Sequence, residues 1–165
     1  KQIAKTLNEA AQAMGFSADN TRKMLAVFAH ESGGFDPDAK SHTGAGGLGQ
    51  LTGVAIEDMN RLSQNGKYAS FRNNFVRPGG DRTDITKNIW TSVAYMDHLM
   101  GEINSDDVGN AFVAYNTGVG GYRALMTMGD GADAYLERAT GVRGKGNEAR
   151  SYAGLVQRAY NRMFS

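Results

Sequence analysis

Apolar residues recur at three- and four-residue steps along most of the chain, and that spacing predicts helices. Ile3, Leu7, Ala11 and Met14 form one stripe, with Gly15 as its stop signal. A second helix is predicted from about Ala18 to Glu31, capped by Ser17 or Asp19, with Met24, Leu25 and Phe28 facing inward and Ser32-Gly33-Gly34 ending it. A polar, glycine-rich stretch runs on to about Gln50, followed by a short helix carrying Val54, Ile56, Met59 and Leu62. The best-defined element runs from about Asp84 to Ile103, where Ile85, Ile89, Val93, Met96, Leu99, Met100 and Ile103 make one stripe. Shorter helices are predicted near 108–115, 121–128 and 132–139, and a last one over about 147–163.

The segment Gln64–Gly80, with Pro78-Gly79-Gly80, reads as irregular. No alternating run is long enough for a sheet core, and no internal repeat is present. The fold class expected is therefore mainly α, with at most a minor β-hairpin in that middle segment. The length fits a single domain over 1–165. The start at Lys1 rather than Met gives the expectation of a piece excised from a larger protein.

Composition narrows the function classes. Hydrophobic residues make up 41% and charged residues 21%, ordinary for a globule with a core, and the net charge is only +1. That balance speaks against a nucleic-acid-binding protein, which would carry a strongly basic face. The stretch from Arg138 to Arg162 is locally basic, with six Lys/Arg against one Glu, and reads first as a solvated face. With no cysteine, disulfides and thiolate metal sites are excluded.

Three pattern matches lack the context their chemistry needs. Gly44-Ala45-Gly46-Gly47-Leu48-Gly49 satisfies G-x-G-x-x-G, but Lys40-Ser41-His42-Thr43 before it is no buried strand, so a nucleotide site is not expected. His30-Glu31 opens like a zinc-protease helix, yet the second histidine would fall on Gly34. Asp130-Gly131-Ala132-Asp133 lacks the ligands of a calcium loop and reads as a turn. No metal or cofactor is expected. Glu31 differs: it ends an apolar helix directly after Ala26-Val27-Phe28-Ala29. A carboxyl among apolar groups loses hydration and is expected to stay protonated near neutral pH, as a glycosidase general acid must.

The surrounding motifs give that glutamate a context. Glu31-Ser32-Gly33-Gly34-Phe35-Asp36-Pro37-Asp38-Ala39-Lys40-Ser41 leads into Gly44-Ala45-Gly46-Gly47-Leu48-Gly49-Gln50, and Ala114-Tyr115-Asn116 with Gly118 follows later. These segments resemble the soluble lytic transglycosylase family of the lysozyme-like superfamily, whose signature reads E-S-x-x-F-x-P-x-A-x-S, G-A-x-G-L-M-Q and A-Y-N-x-G. Asn88-Ile89 and Tyr95 look like its long helix, and Glu148-Ala149-Arg150-Ser151-Tyr152 like its late E-T-R-x-Y segment. The resemblance implies a bundle of about seven to nine helices around a sugar-binding cleft. It makes Glu31 the catalytic acid/base. Ser32 and Ser41 would order the loop or hydrogen-bond near the acid, Gln50 would line the sugar cleft, Tyr115 and Asn116 would form its floor, and Glu148 and Tyr152 would support the site. The glycines from Gly44 to Gly49 would let the backbone approach a sugar chain. Two departures stand out: Gly49 replaces the usual Met, removing part of a sugar-binding surface, and Ala149 replaces the common Thr.

Most glycosidases use two carboxylates, whereas here only Glu31 matches a catalytic position. The resemblance implies that the sugar's acetamido group helps, giving a 1,6-anhydro product from peptidoglycan. A hydrolytic goose-type lysozyme on the same fold and a catalytically silent glycan-binding module are the alternatives. The expected setting is the bacterial periplasm or cell wall, with no membrane insertion by this domain. The Lys40–Gly44 and Gly79–Arg82 segments lean toward a virion-associated, wall-penetrating member over a trimmed periplasmic enzyme.

Overall fold

A computed structural model describes residues 1–42, 44–128 and 145–164, with the backbone alone at 145–153. The elements are α1 (Gln2–Ala13), α2 (Ala18–Glu31), α3 (Gly53–Leu62), a 3-10 helix (Gly66–Asn74), α4 (Ile85–Glu102), α5 (Val108–Met128) and α6 (Lys145–Phe164). Among the described residues there is no strand, only two isolated antiparallel bridges, Lys40 with Gly46 and Gly46 with Leu51. The mainly α expectation holds. The chain divides into two compact units, Lys1–Tyr95 and Met96–Ser165, with the boundary inside α4.

In the first unit α1 packs on α2. The stripe Leu7, Ala10, Ala11 and Met14 is buried, as are Met24, Ala26, Val27 and Phe28 of α2, while Leu25 is only half-buried. Ser17 caps α2, its side chain accepting from Asn20 N at 3.0 Å. In α3 the inward positions are Ala55, Ile56 and Met59, and Val54 stands 65% exposed. The predicted irregular segment is in fact largely a 3-10 helix. Its Tyr68 is buried, and Phe71, three residues on, stacks against Trp90 of α4 with centroids 5.6 Å apart. In a 3-10 helix residues three apart eclipse, which places both rings on the same side. The Thr91 hydroxyl then anchors the segment that follows, accepting from Val76 N at 2.8 Å and donating to Lys87 O at 2.7 Å.

The second unit contains the end of α4, α5 and α6, with α5 packed on α6. Its core includes Met96, Leu99, Val108, Ala111, Phe112, Ala114, Ala124, Val156 and Ala159. Asp107 caps α5 through Oδ1, which accepts from Gly109 N at 3.1 Å. The two helices expected over 108–115 and 121–128 form one run interrupted at Gly118, whose φ of 77° and ψ of 165° are not helical. The helix expected near 132–139, the Asp130–Asp133 turn and part of the basic run from Arg138 lie outside the described residues. No helix among the described residues is long and apolar enough to cross a membrane.

Candidate active site

Glu31 is the last residue of α2 and is half-buried. The helix ends there because Gly33 takes φ +65° and Gly34 N donates to Ala29 O at 2.9 Å, closing a Schellman turn. Ser32, at 4% exposure, tightens it further: its hydroxyl donates to Phe28 O and accepts from Phe35 N at 2.9 Å. With both sides of the hydroxyl spent on backbone, Ser32 orders the turn that presents Glu31. Phe35 itself sits at φ +70°, a conformation that bond helps to hold.

The glycine-rich segment is a folded loop. Ser41 and Ala45 exchange two bonds, Ser41 N to Ala45 O at 3.0 Å and Ala45 N to Ser41 Oγ at 3.1 Å. Gly46 and Leu51 exchange a backbone pair at 3.1 and 2.9 Å, and Gly47 N donates to Ala39 O at 2.9 Å. Gln50 lies within that tight turn at φ +48°. Its Nε2 donates to both Ala39 O and Gly47 O at 2.9 Å, so its amide nitrogen staples the two ends of the loop together.

Two residues outside the loop hold it from the α4 side. Asn88, fully buried, uses its whole amide: Oδ1 accepts from Gly49 N at 2.9 Å, and Nδ2 donates to Gly46 O at 3.1 Å and Arg82 O at 2.8 Å. Ser92 adds a longer bond to the same Oδ1 at 3.3 Å. Arg82 donates from Nη1 to Gly44 O and, at 3.2 Å, to Leu51 O. The glycine at 47 is required by this arrangement itself. A Cβ there would lie 2.1 Å from Asn88 Nδ2 and 2.2 Å from Arg82 O. The backbone at Gly49, where the signature has Met, is buried and tied to Asn88.

In the second unit Tyr115 and Asn116 sit on α5 just before the break at Gly118, and both are half-buried. The Tyr115 ring stacks on Phe112 with centroids 6.1 Å apart. Asn116 Nδ2 donates back to Phe112 O at 3.0 Å. Glu148 and Tyr152 fall four residues apart on α6, and their side chains lie outside the described residues.

Residues 8–127 match the family described as Transglycosylase SLT domain. The chain belongs to that family. It is also similar to the membrane-bound lytic murein transglycosylase F of Desulfosudis oleivorans, with 32% identity over 108 residues, or 61% of this chain and 19% of that protein. The chain thus spans about a fifth of the length of this curated relative. The matched part of the SLT domain takes in Glu31, the loop, Arg82, Asn88, Tyr115 and Asn116, and stops before Glu148 and Tyr152.

Sequence reasoning named Ser32, Ser41 and Gln50 but overlooked Asn88 and Arg82 as residues that build the SLT domain's loop. A signal for Asn88 was present. Asn88, Thr91 and Ser92 recur at three- and four-residue steps beside the apolar stripe of α4, and all three are fully buried. Buried polar side chains must find partners, so such a band announces long-range hydrogen bonds without naming their other ends.

Proposed function

We propose that this domain cleaves the glycan strands of peptidoglycan as a lytic transglycosylase, breaking the β-1,4 bond between N-acetylmuramic acid and N-acetylglucosamine, with Glu31 as its single acid/base. The observation that carries the reading is the position of Glu31 within the family match. It is the last residue of α2, on a turn locked by Ser32, just before a loop whose path is over-determined by Gln50, Arg82 and Asn88.

In the reaction, Glu31 gives its proton to the oxygen leaving C1 of the muramic sugar as that bond breaks. The sugar's own acetamido group stabilises the developing positive charge. The Glu31 carboxylate then takes the proton from the C6 hydroxyl of the same sugar, and O6 attacks C1. The product is a 1,6-anhydro ring, no water is consumed, and Glu31 ends protonated as it began. Acid–base help of this kind is worth roughly 10²–10⁴-fold. Ser41 and Gln50 shape the loop beside the acid. The sites of action are the periplasm and cell wall. Delivery by a phage particle is the finer reading, resting on the Lys40–Gly44 and Gly79–Arg82 segments, and detection of the parent protein in purified virions tests it.

The deciding experiment is a digest of purified peptidoglycan with the wild-type chain and with Glu31→Gln, products read by mass spectrometry. Anhydro-muramic ends from wild type, and none from the variant, are expected. Reducing muramic ends would make the domain a hydrolase that uses the same acid. No product from wild type on several wall types would leave a glycan-binding module.

A further inference from the structure

The two segments flanking Lys40 and Asp81 meet. Lys40 and Ser41 on one side, and Asp81, Arg82 and Thr83 on the other, wall an open pocket of about 240 Å³, with glycine backbone between them. The pocket is walled in part by the same loop that Gln50 and Asn88 hold, and none of its charged side chains is used in the chemistry assigned to Glu31.

Its charge is uneven. Lys40 and Arg82 contribute two cations against the single carboxylate of Asp81. That carboxylate is turned onto its own backbone, Oδ1 accepting from Thr83 N at 2.8 Å and from Thr83 Oγ1 at 2.6 Å. These two bonds, and then the charge of Lys40, hold it below the usual carboxylate range. Lys40 is therefore near enough to feel Asp81, yet among the described residues the two do not close an ion pair. The Arg82 guanidinium is already fixed by Gly44 O and Leu51 O, so a ligand meets a cation whose ordering cost is met by the fold. A fixed arginine, an exposed lysine and room for several heavy atoms suit a carboxylate.

We propose that this pocket binds a carboxylate of the peptide that hangs from the glycan strand. The inference rests on the peptidoglycan reading above. The sugars of a peptide-substituted strand are uncharged, because the lactyl acid of muramic acid is taken up in the amide to the peptide. The strand's negative charges therefore sit on the peptide. A pocket of net positive charge beside the loop next to Glu31 reads the peptide and not the sugar, so it sets preference among differently substituted strands.

The test has two arms. In the first, a free stem tetrapeptide is titrated into the chain and followed by calorimetry. Lys40→Gln should weaken binding by roughly two- to fivefold, the scale of an exposed charge contact, and the loss should shrink as salt is added. Asp81→Asn, which keeps the oxygen that Thr83 bonds, should tighten it by a similar factor. In the second arm, wild type and Lys40→Gln are compared on intact peptidoglycan and on peptidoglycan whose peptide carboxylates have been converted to amides with carbodiimide and ammonia, the lactyl amide left intact. Lys40→Gln should raise KM on the intact strand and match wild type on the amidated one. Equal tetrapeptide affinity in wild type and both variants, or equal impairment on both strands, overturns the proposal. If wild type cleaves neither strand the functional reading fails, while the titration still decides the pocket.

Discussion

The amide of Asn88 fills the space that any side chain at Gly47 would need: a Cβ built on Gly47 would stand 2.1 Å from Asn88 Nδ2. The two residues interlock the glycine-rich loop with the first turn of α4. The relationship is steric on one side and polar on the other, because the same Nδ2 donates to Gly46 O and Arg82 O.

Gly47→Ala should be severe. The new methyl meets backbone as well as Asn88, with Arg82 O 2.2 Å away, and the position holds φ +76°. Overpacking and a left-handed alanine together should cost about 3 kcal/mol or more. Urea unfolding of the variant checks this; a midpoint equal to wild type would show that the loop is not locked as described.

Asn88→Asp keeps the acceptor for Gly49 N but turns a carboxylate oxygen toward Gly46 O and Arg82 O. At pH 7 it should cost about 2–4 kcal/mol, as a buried charge facing acceptors does. The introduced acid is held protonated more readily in the folded than in the unfolded chain. Its penalty is therefore greatest above its folded pKa and shrinks as pH falls through that value. Stability of the variant relative to wild type, measured at pH 7 and pH 4, should show the gap narrowing; a constant gap would contradict the assigned bonds.

Gln50→Ala removes the two donors that join Ala39 O and Gly47 O, and should cost about 1–2 kcal/mol. Gln50→Glu should be worse at neutral pH despite its similar shape, since its carboxylate would face the same two carbonyls. Thermal denaturation of both variants separates the cases. A glutamate variant as stable as wild type would mean that the staple contributes nothing.

Tyr95, 8% exposed on α4, has its phenol pushed up to about 12, first by burial and then by the charge of Asp58. The unfolded phenol ionises near 10, so between pH 10 and 12 the unfolded chain loses this proton while the folded chain keeps it. Stability should fall across that window, by about 1.4 kcal/mol per pH unit at most from this group. Denaturant unfolding of wild type and Tyr95→Phe at pH 9 and pH 11.5 tests the sign. The phenylalanine variant should lose less stability over that span, and equal losses would remove Tyr95 as the cause.

Much of this fold was legible along the chain because its causes are local. Helix α2 runs from Ala18 to Glu31 with Ser17 as its cap, as the apolar spacing and the capping residue dictate. Its end at Glu31 follows from Gly33, whose freedom to take positive φ closes the helix one residue after the acid's neighbour. The 3-10 helix was missed because its signal is a single three-residue step, Tyr68 to Phe71, too short to stand out from loop. The loop's glycines pointed to close approach, but nothing in the local pattern said what approaches. Gly47 is met by Asn88, 41 positions away in the numbering, and Gly44 O by Arg82, 38 away. Local pattern was enough for the α-helices of the first unit, for Glu31 at the end of one of them, and for the family to which the motifs belong. The hold of Asn88 and Arg82 on the loop that follows that glutamate, and the pocket that Lys40 and Arg82 share, came from the folded chain alone. Hydrogen bonds across such separations depend on how helices and loops pack, and packing leaves no period in the chain from which to read it.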